Sequence, residues 1–239
     1  MENTFATMES HAPLYSLSLS LKNRHCLVVG IGEVGLRKLS RLLVSNPSFV
    51  LALDTTAPSE KAWDILEDDR VRFECRTCSP EDVRGKILVF ATTDSKAENS
   101  RIARFCQKAG VLCNCAGPPE RGNVFLPAVA RQGRLAIALS TDGASPALAR
   151  RWRDELEAWL IPRRRTAYLL GLLRPLILDL PGDVEKNKKI LQKLAASPLQ
   201  QWLTDGDDVS CLAWLTAELP VALHAQLAPL LAEVLDDVT

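Results

Sequence analysis

Short apolar runs alternate with longer stretches of helical spacing through the first half of the chain, and the second half keeps only the helical spacing. Residues 26–30 (CLVVG) are apolar and end in glycine, as a strand buried on both faces of a parallel sheet would. Leu36, Leu39, Leu42 and Leu43 recur at helical spacing until Asn46-Pro47 stops the pattern. Residues 49–54 read as a second strand, 60–68 as a helix, 71–75 as a third strand and 87–92 as a fourth. A helix over 96–109 then ends at the capping glycine Gly110, and 111–115 form a fifth strand. This alternation predicts a parallel sheet with helices on its faces. Ahead of it, Leu17, Leu19 and Leu21 alternate with polar residues, which predicts a short half-exposed strand or extended arm. Residues 1–14 show no period and read as a mobile arm.

The rhythm changes after Gly117-Pro-Pro. Residues 123–127 and 135–140 read as strands of a smaller unit, joined by 128–134. Ser145 supplies an N-cap and Pro146 a first helical residue, so a helix should run over 147–160 and end before Pro162. Residues 163–239 read as amphipathic helices broken at Pro181-Gly182, Ser197-Pro198, Asp205-Gly206 and Pro220. The expected division is 1–116, 117–162 and 163–239.

Composition narrows the function classes. The 239 residues are 47% apolar and 24% charged, ordinary for a globular protein with a real core. Twenty-nine basic residues balance 29 acidic ones, which argues against a general nucleic-acid or anionic-membrane binder. No apolar run reaches the roughly 18 residues that span a bilayer, and the acidic start with Glu2 and Glu9 is unlike a secretory signal. Seven scattered cysteines suit reduced thiols in the cytoplasm better than a disulfide framework.

The strongest chemical signal is Gly30-Ile-Gly32-Glu-Val-Gly35, set between a predicted strand and a predicted helix. In such a loop the first glycine makes the tight turn, the second lets the backbone approach a pyrophosphate, and the third packs helix on strand. The helix N-terminus then offers free N–H groups and partial positive charge to phosphate. Asp54 ends the next strand 24 residues after Gly30, the place of a ribose-binding carboxylate, and its charge favours NAD over NADP. Cys75-Arg-Thr-Cys78 and Cys113-Asn-Cys115 lack the paired CxxC spacing of a zinc site, and Cys75 and Cys113, on expected buried strands, read as small hydrophobes, so no metal site is assigned. Arg150, Arg151, Arg153, Arg163, Arg164 and Arg165 read first as a solvated face paired with Asp154, Glu155 and Glu157, and alternatively as an attractor of polycarboxylates. No Ser-His-Asp or HExxH pattern is present.

Three ordered stretches, LSLKNRHCLVVGIGEVGLRK, LVFATTDSKAENSRIARFCQKAGVLCNCAGPPERGNVFLPA and LAIALSTDGASPALARRWRDELE, resemble the precorrin-2 dehydrogenase family, equivalent to the N-terminal part of siroheme synthase. The resemblance runs over about 15–157 and continues more weakly through the helical tail. It implies a Rossmann-type NAD-binding domain, a small α/β dimerisation domain and a helical C-terminal domain. The implied activity is NAD-dependent oxidation of precorrin-2 to sirohydrochlorin by a cytoplasmic homodimer, with ferrous-iron insertion as a second activity in some members. A non-catalytic tetrapyrrole- or NAD-binding protein is the rival from another class.

Carried over by motif, Gly32, Glu33 and Val34 match the pyrophosphate site, with Gly30 and Gly35 framing it. Asp54 and Thr55 fall near the adenosine ribose, and Thr92, Thr93 and Asn99 on the nicotinamide side. Residues 140–146, with Ser140, Thr141 and Ser145, match the loop that closes the tetrapyrrole cleft, and Arg150 follows as a carboxylate partner. One departure stands out. Members with both activities usually carry an aspartate where this chain has Gly117, and glycine can neither accept a proton nor ligate iron. Thr141, Asp142 and Asn114 are the candidate proton handlers or orienters in its place, with loop capping and strand-end hydrogen bonding as their bland alternatives.

Overall fold

The computed structural model describes residues 14–116 and 122–236, which divide into two compact units between Leu126 and Pro127. The 1–14 arm, all but its last residue, lies outside the described residues, as does Gly117.

In the first unit the elements alternate as expected: β1 (His25–Val29), α1 (Glu33–Val44), β2 (Phe49–Asp54), α2 (Glu60–Leu66), β3 (Val71–Cys75), β4 (Leu88–Ala91), α3 (Lys96–Ala109) and β5 (Leu112–Cys115). The strands pair in parallel in the order β3-β2-β1-β4-β5. This is a doubly wound Rossmann sheet whose direction of winding reverses between β1 and β4, the place where such sheets bind ligands. Successive side chains point to opposite faces, so β1 feeds two cores at once. Cys26 and Val28 pack with Leu39 and Leu42 of α1 and Ala62 and Leu66 of α2. Leu27 and Val29 pack with Ile102, Ala103 and Cys106 of α3. Helix ends follow the chemistry read from sequence: Ser95 accepts from the Glu98 N–H at the start of α3, and Gly110 closes it at φ +67°.

Residues 14–20 carry no strand and are exposed, so the arm and not the strand of the two alternatives stands, and only Leu21 of the alternating leucines is buried. Residues 123–127 are not a strand either. Asn123 and Val124 turn both their N–H groups on the Cys113 carbonyl, which leaves no ladder, and Pro127 has no N–H to give. The first strand of the smaller sheet instead falls in the expected connector.

That sheet opens the second unit as an antiparallel hairpin, β6 (Ala128–Gln132) and β7 (Leu135–Leu139). Its two-residue turn begins with Gly133 at φ +53°, the left-handed conformation that hairpin turns require. Helices α4 (Pro146–Leu160), α5 (Arg164–Leu178), α6 (Val184–Ala195), α7 (Leu199–Asp205), α8 (Asp208–Glu218) and α9 (His224–Asp236) follow. They are broken at the four places the sequence marks, and Ser145 caps α4 by accepting from the Leu148 N–H. Leu169, Leu173 and Ile177 of α5 form the spine of their core, against Leu203, Leu215, Leu227 and Leu231. Arg165 ties helix ends together, its guanidinium donating to the Leu203 and Leu235 carbonyls at 3.2 and 3.0 Å. Those carbonyls sit in the last turns of α7 and α9, where the helix dipole is negative. No helix among the described residues is long and apolar enough to cross a membrane.

Leu173 is fully buried, whereas Val209 on α8 is 74% exposed. Leu173→Ala should therefore cost about 3 kcal/mol through a cavity that neighbouring side chains fill only in part. Val209→Ala should stay within roughly 0.5 kcal/mol. Urea unfolding followed by circular dichroism checks both, and equal midpoints for the two variants would contradict this core.

Candidate functional site

The site begins where β1 gives way to α1. Gly30 stands at φ +90°, and a Cβ there would lie 2.5–2.6 Å from the Thr93 nitrogen and the Thr92 carbonyl group. At Gly35 a Cβ would lie 1.8 Å from the Gly30 carbonyl oxygen. Neither position can hold a side chain while α1 keeps this seat. Gly32 differs: its φ of −70° suits any residue, and nothing lies within 4 Å of its missing Cβ. It is the N-cap of α1, no side chain caps the helix there, and Glu33 and Val34 are exposed beside it. A helix start with its first-turn N–H groups uncovered, framed by two closed backbone contacts, is a cradle that fits a pyrophosphate.

Asp54 closes one flank. One carboxylate oxygen accepts from the Ile31 N–H at 2.6 Å, inside the glycine loop, and the other from the Thr56 N–H and hydroxyl at 3.1 Å. Partial burial pushes this carboxyl up, but hydrogen bonds from Ile31, Thr56 and Thr55 outweigh it and hold the pKa below the ordinary value. The anchor is thus complete above the ordinary carboxylate pKa and is lost as pH falls through the lowered one. Asp54 thus orders the glycine loop, and Thr55 beside it is exposed.

The other flank is the turn after β4. The buried Thr92 hydroxyl is shared between the Val29 and Gly30 carbonyls at 3.0 and 2.9 Å. The Thr93 N–H and hydroxyl both donate to Asn99 Oδ1, at 2.9 and 2.7 Å, and Asn99 Nδ2 donates to the Thr93 and Ala116 carbonyls. Asn99, 2% exposed, is therefore a clasp joining this turn to the end of β5.

Asn114 has both ends of its amide engaged. Its Oδ1 accepts from Lys38 Nζ at 2.7 Å and its Nδ2 donates to the Val124 carbonyl at 2.8 Å. Lys38 was not singled out in the sequence, because a lysine on an amphipathic helix carries no distinguishing signal. Only its fall beside Asn114 in the fold identifies it.

In the second unit, residues 140–146 form a turn that holds itself. The Ser140 hydroxyl donates to the Asp142 carboxylate and accepts from the Asp142 N–H, and the Thr141 hydroxyl accepts from the Ser145 N–H. Asp142 sits at φ +46°, in the left-handed region that Asp tolerates better than most residues. Arg150 is exposed near the start of α4, while Arg151 and Arg153 pair with Glu155 and Asp154. Arg163 stacks on the Trp159 ring. Of the cysteines, Cys78 is 2% exposed and its thiol is pushed up to about 12 by burial, while Cys75 is exposed. Among the described residues no three His, Cys, Asp or Glu side chains gather as a metal site would.

Comparison with known proteins bears on both units. A family model of NAD(P)-binding domains matches residues 17–128, and the model of the sirohaem biosynthesis protein central region matches 132–158. The precorrin-2 dehydrogenase of Bacillus subtilis is 31% identical over 130 residues, 54% of this chain and 78% of that protein. The siroheme synthase of Nitrosomonas eutropha is 27% identical over 207 residues, 86% of this chain and 43% of its own length. That of Methylococcus capsulatus is 34% identical over 170 residues, 70% of this chain and 34% of its own. The chain thus spans less than half the length of these siroheme synthases. A solved structure described as SirC, precorrin-2 dehydrogenase, shares the fold with a TM-score of 0.67 at 22% identity, covering 92% of this chain and all of that one.

The glycines separate folding from cofactor binding. Asp at position 32 has room and would act as an N-cap for α1, so Gly32→Asp should melt no lower than the parent. Its carboxylate would occupy the phosphate cradle, so calorimetry should find no NAD binding. Gly35→Ala should lose both the loop and stability, because its Cβ meets backbone. Undiminished NAD affinity in Gly32→Asp would remove the cradle from the site.

Proposed function

The chain belongs to the precorrin-2 dehydrogenase family, and on that footing we propose that it oxidises precorrin-2 to sirohydrochlorin with NAD in siroheme synthesis, in the cytoplasm. The observation that carries the proposal is the open helix start at Gly32, framed by the forced contacts at Gly30 and Gly35 and ordered by Asp54. The likeness to the Bacillus subtilis dehydrogenase supports the choice of substrate. Bound NAD would supply the hydride acceptor. The protein's task is then to hold the substrate carbon against the nicotinamide and to let one proton leave, work done chiefly by positioning.

Each residue follows from that division. Gly30, Gly32, Glu33, Val34 and Gly35 hold the pyrophosphate, Glu33 and Val34 through their backbone at the helix start. Asp54 and Thr55 receive the adenosine ribose, and the Asp54 charge disfavours a 2′-phosphate. Thr92 and Thr93 present the nicotinamide side of the turn. Ser140, Thr141, Ser145 and Arg150 meet the substrate's acidic side chains, the guanidinium by paired hydrogen bonds. Asn114, Thr141 and Asp142 remain the residues for orienting the substrate and accepting the proton. Asp142 suits the second role best, because Asn114 spends its amide on Lys38 and Val124 and the Thr141 hydroxyl caps Ser145.

Iron insertion asks for more. It needs a group that takes pyrrole protons or delivers the metal, and a carboxylate suits ferrous iron. Gly117 stands where the family usually keeps that carboxylate. Purified protein given precorrin-2 and NAD without oxygen should form NADH, and should do so far faster than with NADP. The same protein given sirohydrochlorin and ferrous iron should form siroheme at the spontaneous rate, and Gly117→Asp should raise it. Absence of NADH formation would sink the dehydrogenase reading, and acceleration of chelation by the parent would restore the bifunctional one.

We assign the homodimer to one face of the second unit. A groove of about 460 Å³ between β7 and α4 is lined by Ile137, Leu139, Trp152, Leu156 and Trp159, with Glu155 at its rim. Trp152 and Trp159 are 41% and 51% exposed. Large exposed aromatics beside a two-stranded sheet are what a second copy would cover, the same patch serving both subunits of a two-fold pair. Trp152→Glu should therefore yield a monomer by light scattering while helix content is kept. A parent that is itself monomeric, or a variant that stays dimeric, would refute this face.

A further inference from the structure

Lys38 lies six residues beyond Gly32 on the same helix, about 9 Å along its axis. It is half-buried, and its ammonium meets an amide oxygen and an aromatic face: Asn114 Oδ1 at 2.7 Å and the Phe90 ring at 5.1 Å from its centroid. Phe90 and Asn114 are direct partners in the β4–β5 ladder, so one side chain from α1 touches both strands at the same level. Burial, with the nearby Arg37 and Arg41 charges, lowers the Lys38 pKa.

An ammonium can only donate, and this decides the orientation of the Asn114 amide. Its oxygen must face Lys38, so its NH2 must face away, where it donates to the Val124 carbonyl. Two residues on, just past the end of β5, Ala116 donates its N–H to the Ala91 carbonyl and accepts from Asn99 Nδ2. Asn99 in turn holds both polar groups of Thr93. Lys38 thereby joins the helix that forms the phosphate cradle to the strand whose end is clasped to the Thr93 turn.

We propose that Lys38 is a positioning residue for hydride transfer: acting through Asn114, it fixes the distance between the cofactor-holding helix α1 and the β5 edge. The proposal rests on the dehydrogenase reading above. It assigns Lys38 no contact with cofactor or substrate, so its loss should leave binding in place and spoil alignment. The buried charge is itself costly to hold, and a methionine of similar length keeps the packing, so Lys38→Met should fold normally.

The test combines kinetics with a spectroscopic readout. In Lys38→Met, kcat should fall about tenfold or more, the scale on which small misplacements act. KM for precorrin-2 and Kd for NAD should stay within about twofold. Lys38→Arg, which can still donate to Oδ1, should recover most of kcat. The side-chain amide resonances of Asn114, assigned by their disappearance in Asn114→Asp, should move in Lys38→Met and stay in Lys38→Arg. Unmoved Asn114 resonances, an unchanged kcat or a parallel loss of NAD affinity in Lys38→Met would each overturn the proposal. If the parent oxidised no precorrin-2, the dehydrogenase reading would fall and the kinetic role with it, while the resonances would still decide whether Lys38 orients Asn114.

Discussion

The first unit depends on a contact between two pieces of backbone. With no Cβ at Gly35, the first turn of α1 presses against the Gly30 carbonyl at a separation no side chain could share. That contact sets where the helix starts, and so where its uncovered N–H groups point. Everything around it serves the same seat. Thr92 brings its hydroxyl to the Val29 and Gly30 carbonyls from the neighbouring strand, and Asp54 takes the Ile31 N–H from the other side. Both partners come from the strands flanking β1, so the loop is held from left and right by the sheet that produced it. The partial positive charge of a helix start falls off within the first turn, which makes a fixed starting point a condition for using it.

How much of this could be read in advance depended on whether the information was local. The five strands of the first sheet, the Gly110 and Ser145 caps and the breaks between the C-terminal helices rest on residues whose conformational preferences act over a few positions. The glycine spacing is local in the same sense. Only the hairpin's first strand differs from the expectation: 123–127 has strand-like composition, yet the N–H groups of Asn123 and Val124 are claimed by Cys113, ten and eleven residues back in the chain. The hairpin's true turn at Gly133 offered a weak signal, a single glycine between polar residues. The arm at 14–20 has the alternation of a strand, yet among the described residues it carries no strand and is exposed. Lys38 and Asn114 lie 76 positions apart, and no pattern within either segment announces that they meet. The site's framework was legible and its cross-links were not.

Asn99 illustrates why residue type alone underdetermines role. Next to Thr93 it could be taken for a group that touches the cofactor. Its amide is instead spent on two backbone carbonyls and on both polar groups of Thr93, and it is nearly inaccessible. Asn114 follows the same rule from the opposite face of β5. An amide whose donor and acceptor ends are both committed to the protein can shape a site strongly while taking little part in proton transfer. The second unit uses arginine in a related way, with Arg165 meeting the carbonyl ends of α7 and α9 rather than any carboxylate.

These commitments bear on what the replacement of one aspartate by Gly117 does to the chemistry. The proposed hydride transfer needs two carbons held at the right distance, and the groups proposed to set that distance are glycines, amides, threonine hydroxyls and one ammonium, none of which must change protonation to do it. In that proposed reaction a single proton leaves, to Asp142 or to water. Metal insertion is different in kind, because two pyrrole protons must leave as ferrous iron arrives, and the carboxylate that would take them there is the one Gly117 lacks. On the proposed reading the same framework keeps the first reaction and loses the second by a single side chain. The division of labour between frame and base is what makes that separation possible.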